Sequence, residues 1–284
     1  MINGWLIYDA VGMKRNGWFI EQLCSASKNR GVDLTFILAS RLNFGVKDGK
    51  KALFLDGTMI SFPDFVICRT IFPLLSEFFE EAGVLVFNSA LVSRICNDKR
   101  ATHLFFADSG IQMADTFFFN RLSADASRIF YPAILKSVDG HGGKEVYRVL
   151  DSKEFDSHLQ KIKSTDFLVQ QPVTPGKDVR VYMLDGEIIF AALRSCDTDF
   201  RSNFSLGGQI APYVPCDEMR RVAKIVSERL SPFYVGIDFT FDSEGRPLLN
   251  EVEDVVGARM LYRLTDLQIH ELYAERLVEK LKSL

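Results

Sequence analysis

Lys136 closes an apolar run in residues 131–149 (YPAILKSVDGHGGKEVYRV) and faces a loop with three glycines in four positions, Gly140, Gly142 and Gly143 around His141. A strand-end lysine beside a segment without Cβ atoms suits a polyphosphate. Backbone N–H groups reach phosphate oxygens only where side chains are absent, and the ammonium supplies charge. No Gly-Lys-Ser/Thr follows the glycines, so this is not a Walker loop. Nor do they open a helix, which excludes a dinucleotide fingerprint. The segment reads as a flap joining two strands. A plain glycine hairpin with a solvated lysine is the competing reading.

A second constellation lies in DFTFDSEGRPLLNEVED, residues 238–254. Asp238 falls on one strand of a hairpin. Glu251 and Glu253 fall on the other, two residues apart and so on one face. Three carboxylates converging at one hairpin end are costly unless a cation joins them. Hard oxygen donors suit Mg²⁺ bridged to phosphates. The blander reading pairs Glu251 with an arginine and leaves Glu253 and Asp254 solvated. A third stretch, RSCDTDFRSNFSLGG (residues 194–208), sets arginines and an asparagine around an irregular loop. Arginine offers bidentate donors to phosphate or carboxylate, though a surface loop acquires arginines by chance as well.

These groups need elements to carry them. Residues 4–10 read as a first strand, followed by a helix with Phe19, Ile20, Leu23 and Cys24 at helical spacing and Gly31 as its stop. Strand-like runs at 32–39, 64–70 and 84–89, with a helix near 75–82, continue the alternation, which argues a parallel sheet with helices on its faces up to about Ile95. Asp98 reads as the N-cap of a helix closed by Gly110. Further on, the pattern predicts a helix from a Ser152 cap, a strand over 166–173 broken by Pro172, and a hairpin over 178–195 turning at Asp185-Gly186. It closes with an amphipathic helix over 217–230, a second hairpin turning at 243–246, and a terminal helix from Asp266.

The composition bounds the rest. The chain has 284 residues, 47% hydrophobic and 25% charged, enough for one large domain or several lobes. A net charge of −3 argues against a global electrostatic grip on nucleic acid. No apolar run approaches the ~20 residues of a membrane span, and the first residues do not read as a signal peptide. The five cysteines and four histidines show no metal-ligand spacing, and the cysteines read as reduced cytosolic thiols.

The order of the pieces carries more than any one of them. Asp98-Lys99, Lys136 with its glycines, VQQPV…GKDVR, R…FRSN…GG and GID…NEVE follow in series. This series resembles the ATP-grasp superfamily and, within it, the RimK-like carboxylate–amine ligases, over roughly residues 64–263. The resemblance implies an α/β chain with the ATP-grasp fold, two α+β lobes clasping the nucleotide, preceded by an N-terminal parallel α/β pre-ATP-grasp lobe. The lobes would be residues 1–95, a lid subdomain with the glycine flap over 96–165, and a C-terminal subdomain with the metal site over 166–284.

Residue by residue, it implies Lys99 and Lys136 on the nucleotide phosphates and Gly140, Gly142 and Gly143 as the flap. Gln171, Pro172 and Val173 match the hinge that recognises adenine through its backbone, and Asp178 looks like the ribose-binding acid. Arg180 and Arg194 sit where the family places cations towards the reacting phosphate and acyl group, and Arg201 and Asn203 match the loop beside the transferred phosphate. Asp238, Glu251 and Glu253 match the metal ligands. Two departures stand out: Gln171-Pro172 replaces an acid–aromatic pair at the hinge, and Glu253 replaces the usual asparagine, adding a negative charge beside the metals.

The implied activity is an ATP-dependent carboxylate–amine ligase that forms an amide or peptide bond through an acyl phosphate, adding glutamate or another amino acid to a small-molecule, peptide or protein acceptor. Its cofactors would be ATP and Mg²⁺, with Mn²⁺ as a substitute. The expected partners are the two substrates, with no nucleic acid and no membrane, in the cytoplasm. Phe72, Phe78 and Phe79 suit a core or an interface, which leaves a homo-oligomer open. The alternative is an ATP-binding sensor or interaction subunit of the same fold that does not ligate.

Overall fold

The structure is a computed structural model that describes residues 2–138, 140, 145–196 and 208–283. It begins with β1 (Ile2–Tyr8), α1 (Ala10–Lys28) and β2 (Val32–Leu38). Three short strands follow, β3 (Leu42–Lys47), β4 (Lys50–Leu55) and β5 (Thr58–Ile60), then β6 (Phe65–Cys68), α2 (Pro73–Glu81), β7 (Leu85–Phe87) and α3 (Ala90–Cys96). β1, β2, β6 and β7 form a parallel sheet in the order β2-β1-β6-β7, as the alternation predicts. Successive side chains of β1 serve opposite faces. Leu6 and Tyr8 pack with α1, while Trp5 and Ile7 pack with α2 and the β3–β5 meander.

That antiparallel meander is absent from the sequence reading. Its turns are Asp48-Gly49 and Asp56-Gly57, with φ of 51° and 74°, and 49° and 81°. Left-handed Asp-Gly pairs are the favoured two-residue hairpin signal. The same signal at Asp185-Gly186 is recognised correctly.

The second region opens with α4 (Lys99–Phe106), whose N-cap Asp98 accepts from the N–H groups of Arg100 and Ala101. The helix ends four residues before Gly110, the predicted stop. β8 (Thr116–Asn120), β9 (Ala133–Ser137), β10 (Val146–Val149), α5 (Ser152–Leu159) and β11 (Asp166–Gln170) follow. The N-cap of α5 is Asp151, not Ser152, because the Asp151 carboxylate takes the free N–H groups of Lys153 and Glu154. The sheet order is β10-β9-β11-β8, all antiparallel, over a separate core that includes Leu135, Phe155 and Phe167. β11 thus belongs to this sheet.

The last region contains β12 (Lys177–Leu184), β13 (Glu187–Ser195), β14 (Gln209–Pro212), α6 (Asp217–Leu230), β15 (Tyr234–Phe241), β16 (Pro247–Glu253), α7 (Arg259–Leu264) and α8 (Ile269–Lys282). Its sheet runs β14-β13-β12-β15-β16. α6 covers one face through Met219, Val222 and Val226. The opposite side packs through Tyr182, Tyr234 and the α8 residues Tyr273 and Leu277 into the core of the first region. Among the described residues no helix is long and apolar enough to cross a membrane.

Candidate functional site

Cross-strand register assembles the charged groups on one face of the five-stranded sheet. Asp178 lies opposite Arg194, Arg180 opposite Asp238, Asp238 opposite Glu251 and Gly236 opposite Glu253. Directly opposed residues share a face, so Asp238, Glu251 and Glu253 stand on one face of the sheet. Arg180 clamps Asp238 with Nε and Nη2, both at 2.7 Å, and its Nη1 meets Glu253 Oε2. Arg194 donates Nη2 to Asp238 Oδ2 at 2.7 Å and Nε to Asp178. Among the described residues the arginine partners are therefore Asp238 and Glu253, not Glu251.

Burial would raise the Asp238 carboxyl, but the two guanidiniums more than reverse this and hold it at about 2. For Glu253, burial wins over Arg180, and with the neighbouring Asp238 and Glu251 it lifts the carboxyl above its usual range. Gly236 leaves the room this cluster needs. A Cβ there would come within 2.8 Å of Val256 Cγ2 and 3.2 Å of Arg180 Cδ.

The lysines come from the middle region, Lys136 from the β8–β11 sheet and Lys99 from α4. Lys136, on β9, donates to Gln170 Oε1 at 2.6 Å and to Asn250 Oδ1 at 3.2 Å. Asn250 reaches it because of a bulge. Asp238 pairs with Glu251 but Phe239 pairs with Leu249, leaving Asn250 as the extra residue on β16. Burial pulls the Lys136 ammonium down to about 8; Glu251 opposes the shift and Lys99 adds to it. Lys99, on the first turn of α4, donates to the carbonyl of Gly140 at 2.5 Å and lies 4.0 Å from Glu251 Oε2. Lys99, Lys136, Gly140 and Glu251 are thus brought together from three elements and one loop.

The remaining expectations fare unequally. After β11 the Gln171 N–H donates to the Asp115 carbonyl at 2.9 Å. The Pro172 carbonyl and Val173 N–H make no hydrogen bond among the described residues. Asp178, expected to take the ribose, is buried and paired with Arg194 within the cation–carboxylate cluster. Gly142, Gly143, Arg201 and Asn203 lie outside the described residues.

The donor set fits Mg²⁺ in its chemistry. All the donors are carboxylate oxygens, with the Glu251 and Glu253 side chains 30% and 35% exposed. Asp238 Oδ1 takes one hydrogen bond and keeps a second lone-pair direction. Among the described residues no group of three His, Cys, Asp or Glu side chains is close enough together to hold an ion. The Arg180 guanidinium joins Asp238 to Glu253 instead.

Sequence reasoning passes over Gln170, Asn250 and a buried group around Asp254. Asp254 is 2% exposed, not solvated, and accepts from Asn88 and Asn97. Arg69, at the end of β6, donates to the Asp254 and Val256 carbonyls. A charged residue closing the apolar run FVICR is a signal for Arg69. Nothing local marks the two asparagines.

Comparison with known proteins places these residues in context. The model of the RimK-like ATP-grasp domain matches residues 97–277. An uncharacterized Mycoplasma genitalium protein, MG011, is 30% identical over 66% of this chain and 65% of its own length. Human N-acetylaspartylglutamate synthase A is 28% identical over 84% of this chain and 65% of its own. The α-aminoadipate–LysW ligase LysX of Saccharolobus solfataricus is 25% identical over 72% and 78%. The chain thus spans just under two thirds of the first two relatives. Among solved structures, D-alanyl-alanine synthetase A from Vibrio cholerae superposes with a TM-score of 0.75 at 15% identity, covering 98% of both chains. The ATP-grasp ligase PsnB, complexed with a minimal precursor, gives 0.71 at 18% identity, also over 98% of both. The fold expected from the sequence is therefore the observed one.

Proposed function

Because this chain belongs to the RimK-like ATP-grasp family, we propose that it is an ATP-dependent carboxylate–amine ligase that adds an amino acid, glutamate among the candidates, to a small-molecule, peptide or protein acceptor. The observation that carries this reading is the meeting of Lys99 and Lys136 with Glu251, between a glycine-bearing segment and a carboxylate-bearing hairpin. Two cations beside oxygen donors suit a nucleotide triphosphate held with a divalent ion. The relatives named for N-acetylaspartylglutamate and for α-aminoadipate–LysW ligation support acid–amine joining as the reaction class.

In the proposed reaction a substrate carboxylate oxygen attacks the γ-phosphorus of ATP and expels ADP, giving an acyl phosphate. The amine then attacks the carbonyl, loses a proton, and releases inorganic phosphate. Lys99 and Lys136 neutralise charge on the phosphates, and charge-assisted hydrogen bonds of this kind hold best where water is excluded. Glu251 and Glu253, with Asp238, would hold Mg²⁺, which supplies charge neutralisation on the transferring phosphoryl group. Arg180 and Arg194 keep Asp238 ionised and oriented. The Gly140 segment would close over the phosphates and keep water from the acyl phosphate. Pro172 and Val173 offer backbone groups to adenine. We assign residues 1–95 to the pre-ATP-grasp lobe, the sheet ending at residue 170 to the lid, and the rest to the metal-bearing lobe, in a cytoplasmic enzyme.

The test is ADP release with acids and amines supplied singly and together. Release that requires both substrates and Mg²⁺, and disappears in Glu251→Ala, is the expected outcome. Binding of Mg²⁺ and an ATP analogue without any substrate-dependent turnover would favour a non-ligating subunit.

A further inference from the structure

Asp254 directly follows Glu253 and sits in none of the roles above. Its Oδ1 accepts from Asn88 Nδ2 at 2.7 Å and its Oδ2 from Asn97 Nδ2 at 3.1 Å. The two asparagines come from different places. Asn88 follows β7 in the first lobe and also brackets the start of β15. Its Oδ1 accepts from the N–H groups of Phe233 (2.5 Å) and Tyr234 (3.0 Å), and its Nδ2 donates to the Tyr234 carbonyl at 2.9 Å. Asn97 lies between α3 and α4 and also donates to the Ser93 carbonyl at 2.7 Å. It stands immediately before the cap Asp98 and two residues before Lys99. Arg69, buried to 6% exposure over the Tyr234 ring, reaches the backbone carbonyls of Asp254 and Val256 on the other side.

A carboxylate is expensive to bury unless it is paired and hydrogen-bonded. Packing alone would be served by an apolar side chain. What the carboxylate adds is direction, because each oxygen is aimed at one amide from a different segment, with the Ser93 hydroxyl of α3 as a further donor. One oxygen ties the end of β16 to the first lobe. The other ties it to the turn that starts the Lys99 helix. Lys99 Nζ and Glu251 Oε2 are only 4.0 Å apart, a separation that a small shift of either element would change.

We propose that Asp254 is a positioning residue. With Asn97 and Asn88 it fixes the helix start that carries Lys99 against the strand end that carries Glu251 and Glu253, and so sets the spacing between phosphate-binding lysine and metal-binding carboxylates. The proposal rests on the ATP–magnesium reading above. Asp254→Asn keeps the volume but turns an amide N–H towards one of the two amide donors, so one link is lost while the packing stays. Asn97→Ala removes the link between Asp254 and the start of the Lys99 helix, together with the bond to the Ser93 carbonyl, and leaves the Asn88 link in place.

Mn²⁺ titrations followed by electron paramagnetic resonance, with a non-hydrolysable ATP analogue present, read the metal site without turnover. The wild-type protein should take up Mn²⁺ with the analogue. Asp254→Asn should bind it about tenfold more weakly, the size usual for partners that orient metal ligands, and Asn97→Ala should weaken it in the same direction. Val278→Ala, a core truncation in α8, controls for lost stability. It should lower the thermal midpoint yet keep wild-type Mn²⁺ affinity. Wild-type affinity in both Asp254→Asn and Asn97→Ala would overturn the proposal, as would an equal loss in Val278→Ala. Should Asp254→Asn not fold, Asn97→Ala decides alone. A wild-type protein that takes up no Mn²⁺ with the analogue sinks the ATP–magnesium reading itself, and this proposal with it.

Discussion

Lys136 is the residue on which the nucleotide reading depends most directly. Its ammonium is satisfied by two amide oxygens, Gln170 Oε1 and Asn250 Oδ1, and among the described residues by no carboxylate within hydrogen-bond distance. Burial lowers it to about 8 from a usual 10.5. Between those values the unfolded chain holds a proton that the folded chain has released, so the ligand-free protein gains stability as pH rises through this window. Nucleotide binding works in the opposite sense, because phosphate oxygens favour the ammonium. Affinity for an ATP analogue should therefore fall as pH rises above about 8, with proton uptake on binding. Calorimetry in buffers of different ionisation enthalpy reads both. In Lys136→Ala the pH dependence should flatten and affinity should drop by about 1.5–3 kcal/mol, roughly tenfold to a hundredfold. A variant that binds like wild type at every pH removes Lys136 from the phosphates. The chemistry at this position is legible in the sequence, since a lysine closing an apolar run beside glycines is unusual. Its partners are not, because Gln170 and Asn250 are 34 and 114 residues away.

At the scale of elements, the hairpin of β15 and β16 does the positioning. Period-two alternation puts Glu251 and Glu253 on one face, and the register puts Asp238 and Gly236 opposite them. The bulge after Asp238 then turns the intervening Asn250 towards Lys136. Gly236 is where this arrangement is most easily spoiled. Gly236→Ala would drive a methyl into Val256 and the stem of Arg180. Overpacking of this kind costs about 1–3 kcal/mol. Urea denaturation should show that loss, together with weaker Mg²⁺-dependent nucleotide binding as Arg180 shifts against Asp238 and Glu253. Unchanged stability would mean that the strand relaxes without cost. The hairpin and its turn are foreseen from sequence. The bulge is not, since it arises from the fit of two strands and leaves no local mark.

Across the whole molecule, one core joins the first and last regions and another serves the middle one. Side chains of α1 and the parallel sheet share one core with α8 and with Tyr182 and Tyr234 of the five-stranded sheet. The β8–β11 sheet has its own smaller core. The first and last regions should therefore unfold together, while the middle sheet opens at lower free energy. Hydrogen exchange should show faster exchange in β8–β11 than in β1, β6, β12 and β15, and an ATP analogue should slow it selectively. Uniform protection across all four sheets would contradict this division. Asp254 sits where the regions meet, which is why its role surfaces only at this scale.

The sequence by itself determined the strand–helix alternation of the first region, the two later hairpins, the strand-end lysine, the same-face carboxylates and the family to which they belong. Those features are local, set by periodicity, capping and turn chemistry over a few residues. Only the tertiary structure decided which charge meets which. Arg180 joins Asp238 to Glu253, Asp178 turns to Arg194, and β11 crosses into the middle sheet. It likewise buried Asp254 between Asn88 and Asn97. A carboxylate reads the same in sequence whether it faces water, a metal or a guanidinium, because its partner is chosen by strand register and lobe packing, and these bring together residues that lie far apart in the chain.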